Sequence, residues 1–389
     1  MATYKEQNKL NVPHLRFPEF HGEWEKHGLS EYLDFKNGLN PDSKRFGKGI
    51  KFISVMDILN NPVITYDCIR ASVQATDAEI SSFSVENGDI LFLRSSETLE
   101  DVGRANVYID DRVAVFGGFV IRGKKKANYN PLFFRYLLSS PYARKRIIPM
   151  GAGAQHFNIG QEGLSKVLLN FPSIEEQTKI ASLLHLLDER IATQSKLIED
   201  LKKLKSAISK KLLCNDKWTT CIIQDIAEIG RGRVISSVEI DRQKHPLYPV
   251  YSSQTSNNGI MGYLDNYMFD GEYITWTTDG ANAGTVFYRK GKFNCTNVCG
   301  TLKILPKFDC YFVSLVLQQA TQKYVSSNLA NPKLMNNTMA SIKIRMPNIE
   351  MQKQLSKVFQ TFDSCLLVHQ RTCKMYLSEK QYLLRQMFI

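Results

Sequence analysis

The sequence lacks any apolar run that approaches the ~20 residues needed to cross a bilayer. Residues 1–9, MATYKEQNK, lack the apolar core of a signal peptide. The eight cysteines are scattered, which in a chain of 389 residues favours reduced thiols in the core over a disulfide framework. These absences argue against a membrane protein and against a secreted one, so we expect a cytoplasmic protein without membrane contact.

The sequence also lacks a readable catalytic or cofactor motif. The run GFVIRGKK, which ends at Lys125, resembles a phosphate-binding loop, but a lysine stands where Ser or Thr would bind magnesium, and no amphipathic helix follows. The run NPLF, from Asn130, lacks the second proline of the loop by which amino-methyltransferases hold adenine. Cys295, Cys299 and Cys310 lack the paired spacing of a metal site. We therefore predict no catalytic residue and no metal site in this chain.

The charge of the chain is positive and evenly spread. Fifty lysines and arginines against 38 aspartates and glutamates give a net charge of +12. No basic tail is present, and each quarter of the chain carries part of the excess. A diffuse positive charge fits a body that lies along a polyanion, with nucleic acid as the leading candidate. The alternative is a mildly basic protein that has no such partner.

A stretch of the sequence occurs twice, at an offset of 175 residues. The first copy, FPSIEEQTKIASLLHLLD, starts at Phe171, and the second, MPNIEMQKQLSKVFQTFD, starts at Met346. The residues shared by both copies are Pro172, Ile174, Glu175, Gln177 and Asp188, which recur as Pro347, Ile349, Glu350, Gln352 and Asp363. A long helical pattern follows each copy, so the order module–helix–module–helix gives two equivalent halves and two equivalent places for binding.

Both helical patterns carry the same heptad seam. The apolar seam positions are Ile180, Leu184, Leu187, Ile191, Ile198, Leu201, Ile208 and Leu212 in the first copy, and Leu355, Phe359, Phe362, Leu366, Cys373, Tyr376, Leu383 and Met387 in the second. Polar breaks fall at matching places, Gln194 and Lys205 against His369 and Lys380. Steps of three and four predict that the two helices pair with each other, antiparallel, as a coiled coil. The alternative is that each helix packs only on its own module.

The modules repeat more weakly than the helices. Downstream of Trp24 and Trp218, residues 29–38 and 223–232 share apolar positions and a final glycine, and GDILFL from Gly88 resembles GEYITW from Gly271. Each of these runs predicts a strand that follows a turn. Helical patterns over residues 131–145 and 309–325 complete the match. Each module is therefore predicted to be a mixture of short strands, turns and a helix.

Between the matched pieces the modules differ, and the differing parts are polar and loop-like. Side chains of Ser, Thr, Asn, Gln and Arg contact base edges and phosphates, so these parts suit two readers of different DNA sequences on one scaffold. The alternative is ordinary surface loops. The predicted DNA-contacting residues are Arg45, Lys48, Arg94, Ser95, Ser96, Arg104, Lys124, Lys125, Lys126, Gln155, His156 and Asn158 in the first module, and Arg231, Arg233, Ser252, Ser253, Gln254, Thr255, Thr277, Thr278, Asp279, Asn282, Arg289 and Lys333 in the second.

The chain resembles the specificity (S) subunit of type I DNA restriction–modification enzymes over nearly its whole length. The runs that carry the resemblance are LRFPEFHGEW from Leu15, PSIEEQ from Pro172, PNIEMQ from Pro347, DERI from Asp188, the lysine-rich residues 202–211 and TTDGANAGTVFY from Thr277. One departure is Met351, which replaces a glutamate of the first copy, and the second seam contains Cys373 and Tyr376.

The resemblance implies an α+β fold. Two mixed α/β target recognition domains would stand in a pseudo-twofold repeat, separated by two long helices that form an antiparallel coiled coil. The expected segments are residues 1–171 and 214–346 for the recognition domains and 172–213 and 347–389 for the conserved helices.

The resemblance also implies a function without catalysis in this chain. Each recognition domain would read one half of a bipartite double-stranded DNA target, while the helices set the spacer and dock two modification (methyltransferase) subunits. Restriction subunits would join the same complex. S-adenosylmethionine, ATP and Mg are expected on those partners, and no cofactor is expected on this chain. The rival hypotheses are a chain that is itself a DNA methyltransferase or nuclease, and a coiled-coil adapter that binds only protein.

Overall fold

The structure, a computed structural model, describes residues 11–213, 215–326 and 331–389, so the expectation about residues 1–9 lies outside the described residues. The chain divides into two compact units, Met1–Lys196 with Arg371–Ile389, and Leu197–Gln370. Within the described ranges, no helix has the length and apolarity that a membrane span requires.

The first half of the chain alternates short strands with short helices and ends in a long helix. Its elements are β1 (Glu25–Gly28), α1 (Leu29–Tyr32), β2 (Leu33–Asn37), β3 (Phe46–Ile53), α2 (Val55–Asn60), β4 (Ser72–Val73), α3 (Asp77–Phe83), β5 (Ser84–Val85), β6 (Ile90–Leu93), β7 (Ser95–Ser96), β8 (Ala105–Val107), β9 (Ala114–Phe116), β10 (Val120–Lys125), α4 (Pro131–Ser139), α5 (Pro141–Ile147), β11 (Phe157–Asn158), α6 (Gln161–Ser165), β12 (Leu168–Phe171) and α7 (Ile174–Leu212).

The second half repeats this order with fewer elements. They are β13 (Thr219–Ile222), α8 (Ile223–Ile226), β14 (Ala227–Arg231), α9 (Ser237–Asp241), β15 (Tyr248–Tyr251), β16 (Ile260–Leu264), β17 (Glu272–Thr277), β18 (Val286–Lys290), β19 (Asn294–Cys295), β20 (Cys299–Ile304), α10 (Cys310–Ala320), α11 (Asn336–Ser341), β21 (Lys343–Met346) and α12 (Ile349–Gln386). Short 3-10 turns lie at Ser43–Arg45, Tyr66–Cys68, Ile148–Met150, Ser256–Gly259 and Thr321–Tyr324.

Each module contains a four-stranded antiparallel sheet, in the order β2-β10-β6-β8 in the first and β14-β20-β17-β18 in the second. The runs GDILFL and GEYITW form β6 and β17, which occupy the same place in the two sheets. Gly88 and Gly271 before these strands have φ of 93° and 108°, a conformation that glycine adopts without a Cβ penalty. The predicted common scaffold is confirmed.

Each module also closes in the same way. β1 pairs with β12, and β13 pairs with β21, both antiparallel, so the strand that leads into each long helix pairs with the first strand of its own module. A second sheet in each module contains a parallel pair, β3 with β9 and β15 with β19.

The helical pattern over residues 131–145 is broken in the structure, which corrects the sequence expectation of one helix. α4 ends at Ser139 and α5 starts at Pro141, because Ser140 before the proline takes an extended conformation with ψ of 149°. In the second module, α10 is continuous and is followed by a 3-10 turn.

The long helices α7 and α12 run antiparallel. In the first unit, Asp188 pairs with Lys380, and Ser195, seven residues later, lies 3.7 Å from Cys373, seven residues earlier, measured from Oγ to Sγ. All the predicted seam positions are buried or half-buried except Leu212. That position is wrong, because α7 ends there and the next residue, Leu213, enters the core of the second unit.

Each core takes in side chains from the long helices. In the first unit, Leu383, Met387 and Phe388 at the end of α12 pack with Trp24 and Phe133. In the second unit, Leu213 and Phe359 belong to the same core cluster as the aromatic and aliphatic residues of α10.

Candidate nucleic-acid interface

The repeated glutamine joins each long helix to its module. Gln177 donates from Nε2 to the carbonyl oxygen of Pro172 at 3.0 Å, and its Oε1 accepts from the backbone N–H of Asn130 at 3.1 Å. Gln352 makes the same two bonds, at 2.8 and 3.0 Å, the second one from Asp309. Both side chains are buried. Because Asn130 and Asp309 cap α4 and α10, this joint positions each module helix against a long helix.

The glutamate beside this glutamine differs between the copies for a structural reason. Glu176 is 1% exposed and accepts from Nε and Nη2 of Arg16 at 2.8 and 2.7 Å and from Nε1 of Trp24 at 3.4 Å. The opening run that supplies Arg16 occurs once in the sequence. Met351, at the equivalent position, is 43% exposed. The departure that the sequence showed therefore accompanies the loss of an ion-pair partner.

In the first module, predicted residues gather where β6 ends. β7 pairs with β11, which sets Ser95 opposite Asn158 and Ser96 opposite Phe157, and the Ser95 hydroxyl donates to Oδ1 of Asn158. Arg94 donates from Nη1 to the carbonyl oxygen of Gly118 at 3.2 Å. This edge, where β6 ends and β10 begins, is called the head of the first sheet below.

In the second module, predicted residues gather at the matching edge, where β17 ends. Asp279 forms a β-bridge with Lys333, whose Nζ lies 3.8 Å from the carboxylate. The same carboxylate accepts from the Thr278 hydroxyl at 2.6 Å and from Nη2 of Arg231 at 3.3 Å. Arg231 also donates to the carbonyl oxygen of Asn297. This edge is the head of the second sheet.

Backbone hydrogen bonds show that the two heads are equivalent. Ile159 donates to the carbonyl of Arg94, and Leu334 donates to that of Thr278, both at 2.9 Å. Ser95 therefore corresponds to Asp279, and Asn158 corresponds to Lys333. The structure places different polar side chains at the same two positions of one scaffold.

The two arginines reach equivalent turns from different strands. Arg94 follows β6, whereas Arg231 ends β14, yet each donates to the carbonyl of the turn that precedes β10 or β20. The backbone N–H groups of Arg94 and Thr278 bond to Phe119 and Val298 in these turns, both at 2.9 Å. Each head therefore holds one guanidinium group at the same place, although no sequence comparison would align the two residues.

Loop residues of the second module extend its head. Asn282 donates from Nδ2 to the carbonyl of Ser253 at 3.3 Å, which links the loop after β17 to the loop after β15. Gln254 bonds to the carbonyl of Ile260, so this loop is held on the sheet. Ser252 and Thr255 are in the same loop. In the first module, Gln155 and His156 are exposed in the loop before β11.

Two predicted residues lie inside the second module. Thr277 is buried, and its hydroxyl oxygen has no hydrogen-bond partner in the part of the chain that the structure describes. Arg289 is 3% exposed, donates to the Thr275 hydroxyl at 3.1 Å, and lies 3.6 Å from the centre of the Tyr251 ring. Burial lowers the pKa of Arg289 to about 10. These side chains support the head from below.

Three predicted lysines lie at the opposite end of the first sheet. Lys124 pairs with Glu86 at 3.1 Å, Lys126 pairs with Asp34 at 3.2 Å, and Lys125 lies between them in sequence at the end of β10. Since a strand rises ~3.3 Å per residue, this end of β10 is roughly 16 Å from its head. The structure therefore does not bring the three lysines together with Arg94.

The remaining predicted basic residues differ in how they are paired. Arg45, Arg104 and Arg233 each pair with a carboxylate of their own module, respectively Glu79, Asp101 and Glu239. The Arg45 hydrogen bond is the main cause that lowers the pKa of Glu79 to about 2. Lys48 is exposed between two glycines with φ near 98°, and no hydrogen bond or ion pair is recorded for it among the described residues.

Sequence reasoning missed an apolar component of the first head. Phe119, in the turn before β10, is 67% exposed, and Phe46 and Met56 nearby are also exposed. The three line a groove of about 420 Å³. The signal was present as two glycines before Phe119, but the search considered only polar side chains.

The three cysteines weighed as a metal site are buried thiols. Burial raises the pKa of Cys299 to about 11 and that of Cys310 to about 12, and it raises the pKa of Cys295 further. Across residues 11–213, 215–326 and 331–389, no group of three or more His, Cys, Asp or Glu residues is placed to hold a metal ion.

Comparison with known proteins gives one consistent family. The sequence profile of the type I restriction modification DNA specificity domain matches residues 21–203 and 215–374. Two Mycoplasma pneumoniae proteins, both named putative type I specificity subunits, are 37% identical over 203 and 207 residues. Each alignment covers 51% of this chain, and the two cover 84% and 82% of those relatives.

Two solved structures share the fold. The crystal structure of the S subunit of a type I restriction–modification system from M. genitalium gives a TM-score of 0.67 at 16% identity, covering 97% of this chain and 99% of that one. A structure concerned with complex assembly and conformational transition of the type I system gives 0.53 at 12% identity, covering 93% and 96%. At these identities the likeness concerns the fold alone.

Proposed function

Because the chain belongs to the family that carries the type I restriction modification DNA specificity domain, we propose that each of its modules reads one half of a bipartite double-stranded DNA target. The observation that carries the proposal is the pair of equivalent sheet heads with different polar side chains. An identical scaffold with exchanged side chains is what recognition of two different half-sites requires.

The chemistry of the two heads favours different bases. In the first head, the amide of Asn158 can pair with the N6 and N7 edge of adenine, and Arg94 can pair with guanine. In the second head, Lys333 and Arg231 suit the O6 and N7 acceptors of guanine, and Asp279 can accept from N4 of cytosine. The two half-sites are therefore expected to differ.

The long helices are proposed to set the spacer and to dock two modification subunits, with restriction subunits in the same complex. Several large apolar side chains on these helices are exposed: Leu186, Leu204, Val358, Val368 and Met375. Exposed apolar side chains of this kind support a protein partner. We propose that this chain supplies the DNA address and no chemistry, while S-adenosylmethionine, ATP and Mg bind to the partners in the cytoplasm.

The test maps DNA methylation in cells that carry this gene and its partner genes. Asn158→Ala should change selectivity in one half-site, and Lys333→Ala should change it in the other, because the two residues occupy equivalent positions in different modules. Loss of one base contact costs ~1–3 kcal/mol, about 5- to 150-fold in selectivity at one position. Lys303→Ala, at the far end of β20, is the matched control and should change neither half-site.

Two results would contradict the proposal. Methylation that is unchanged when the gene is deleted would remove the role in targeting. A change of both half-sites by Asn158→Ala alone would show that the modules do not read independently. A protein that fails to bind DNA in the presence of its partners would favour the adapter hypothesis, and purified chain that methylates DNA alone would favour the enzyme hypothesis.

A further inference from the structure

A buried junction joins three helices in the first unit. Asp188 of α7 forms an ion pair with Lys380 of α12, accepts from the hydroxyl of Tyr136 at 2.9 Å, and pairs with Arg135 at 3.2 Å. Tyr136 and Arg135 belong to α4 of the module. The side chains of Asp188 and Lys380 are 15% and 20% exposed. One carboxylate therefore ties the module to both long helices.

The second unit contains the same junction with the helices exchanged. Asp363 of α12 pairs with Lys205 of α7 and accepts from the hydroxyl of Tyr311 on α10. Asp363 and Lys380 are the repeat copies of Asp188 and Lys205, each 175 residues later. Each polar break in the heptad seam thus contacts the repeated aspartate of the opposite helix.

The tyrosines show that the contact recurs although its sequence position does not. Asn130 and Asp309, the N-caps of α4 and α10, are equivalent because both donate to the repeated glutamine. Tyr136 lies six residues after its cap, whereas Tyr311 lies two residues after its own. The difference of four residues is about one helical turn, which keeps both hydroxyls on the same face of the helix.

The junctions penalise a shifted register. Burial raises the pKa of Asp188, but the hydrogen bond and charge of Lys380 and the charge of Arg135 outweigh burial, so the pKa lies below its usual value. Asp188 is therefore charged in the folded protein at neutral pH. A slip of one heptad would set it opposite Cys373 or Met387, and neither can pair with a carboxylate. A charge left buried without its partner is strongly unfavourable.

We propose that these two junctions fix the register of the long helices and the seating of each module on them, and so select the spacer length of the DNA target. Asp188, Lys380, Asp363 and Lys205 would be positioning residues that contact no DNA. This inference rests on the proposed function, because it concerns the distance between the two half-sites that the modules read.

The decisive variant replaces the second junction by apolar side chains, Asp363→Leu with Lys205→Met, in the full chain with its partners. Replacing a buried ion pair by apolar residues of similar size is often neutral or stabilising. We therefore expect the midpoint of thermal unfolding to be kept. The methylated sites should retain both half-site sequences, but the preference for the wild-type spacer over spacers one base pair longer or shorter should fall by about tenfold, or ~1.4 kcal/mol.

The matched control lies on the same helix. Glu199 and Lys203 form an exposed pair on α7 at 2.5 Å, so Glu199→Leu with Lys203→Met removes an ion pair of the same type outside the junctions. It should leave the spacer preference unchanged. A double variant at Asp363 and Lys205 that folds and keeps full spacer preference would overturn the inference, as would an equal loss in the control.

A charge exchange provides the second measurement. Asp363→Lys alone sets two cations against each other and should broaden or abolish spacer selection, and Asp363→Lys with Lys205→Asp should restore it. The second junction is preferred because no arginine is recorded beside Asp363 in the described part of the chain. If the exchange fails to restore selection in a folded protein, the inference is wrong. A wild-type chain that directs no bipartite methylation would instead refute the proposed function.

Discussion

At the scale of single residues, the repeated glutamine has a defined structural role. Gln177 and Gln352 are each buried and satisfy one backbone carbonyl and one backbone N–H at the start of a long helix. Buried backbone groups are almost always paired, so a side chain that pairs two of them is difficult to replace. This explains why a glutamine stands at the same place in both copies when its neighbour changes from glutamate to methionine.

We expect Gln352→Ala to lower the free energy of unfolding of the second unit by about 1–3 kcal/mol, because it leaves the carbonyl of Pro347 and the N–H of Asp309 unpaired. Urea unfolding followed by tryptophan fluorescence measures the change. Gln354→Ala, on the exposed side of the same turn, should cost less than about 0.5 kcal/mol. Equal costs for the two variants would show that the buried joint contributes no stability.

The sequence predicts which residues are polar and lie in loops, but not which of them meet. Arg94, Ser95 and Asn158 meet because a short strand pair closes over the sheet, and that pairing joins residues 63 apart. Arg289 reads as a surface residue because its strand ends in Arg-Lys, yet its side chain turns inward onto an aromatic ring. Burial of this kind depends on the packing of the second sheet, which leaves no local signal.

At the scale of elements, the long helices were predictable because a heptad seam is a local periodicity repeated over many turns. The failure at Leu212 falls where the helix ends and the period no longer applies. The contacts of the polar seam residues were not predictable. Their partners lie beside the seam on the opposite helix, and the tyrosines come from the modules, 52 residues away from the aspartates.

Inserting one heptad after Leu201 should lengthen the DNA spacer by a few base pairs at most. The insertion keeps the phase of the seam and adds ~10 Å of helix at ~1.5 Å per residue, equivalent to ~3 base pairs at ~3.4 Å each. Both half-sites should be unchanged, because no recognition loop is altered. Methylation mapping measures the spacer.

A two-residue insertion at the same place serves as the comparison. It rotates the seam away from its partner, so the helix pair should unfold and targeted methylation should be lost. An active protein with this insertion, or an unchanged spacer with the heptad, would mean that the helices do not set the distance.

At the scale of the whole molecule, the scaffold repeats and the reading surface varies. Exchanging residues 218–346 for the equivalent module of a relative should therefore change one half-site and leave the other. The boundaries keep β13 and β21 together, because these strands pair and close the module. Methylation mapping checks the outcome, and loss of both half-sites in a folded protein would exclude independent reading.

The packing of Leu383, Met387 and Phe388 against Trp24 has a consequence for synthesis of the protein. A nascent chain that has emerged as far as the end of the second module still lacks these three side chains, so its first core has an open wall. The opposite is true of the second core, whose helical contributors, Leu213 and Phe359, flank that module in sequence. The half of the protein that is made first is therefore the last to be completed, and a premature stop near the end of the gene damages its beginning.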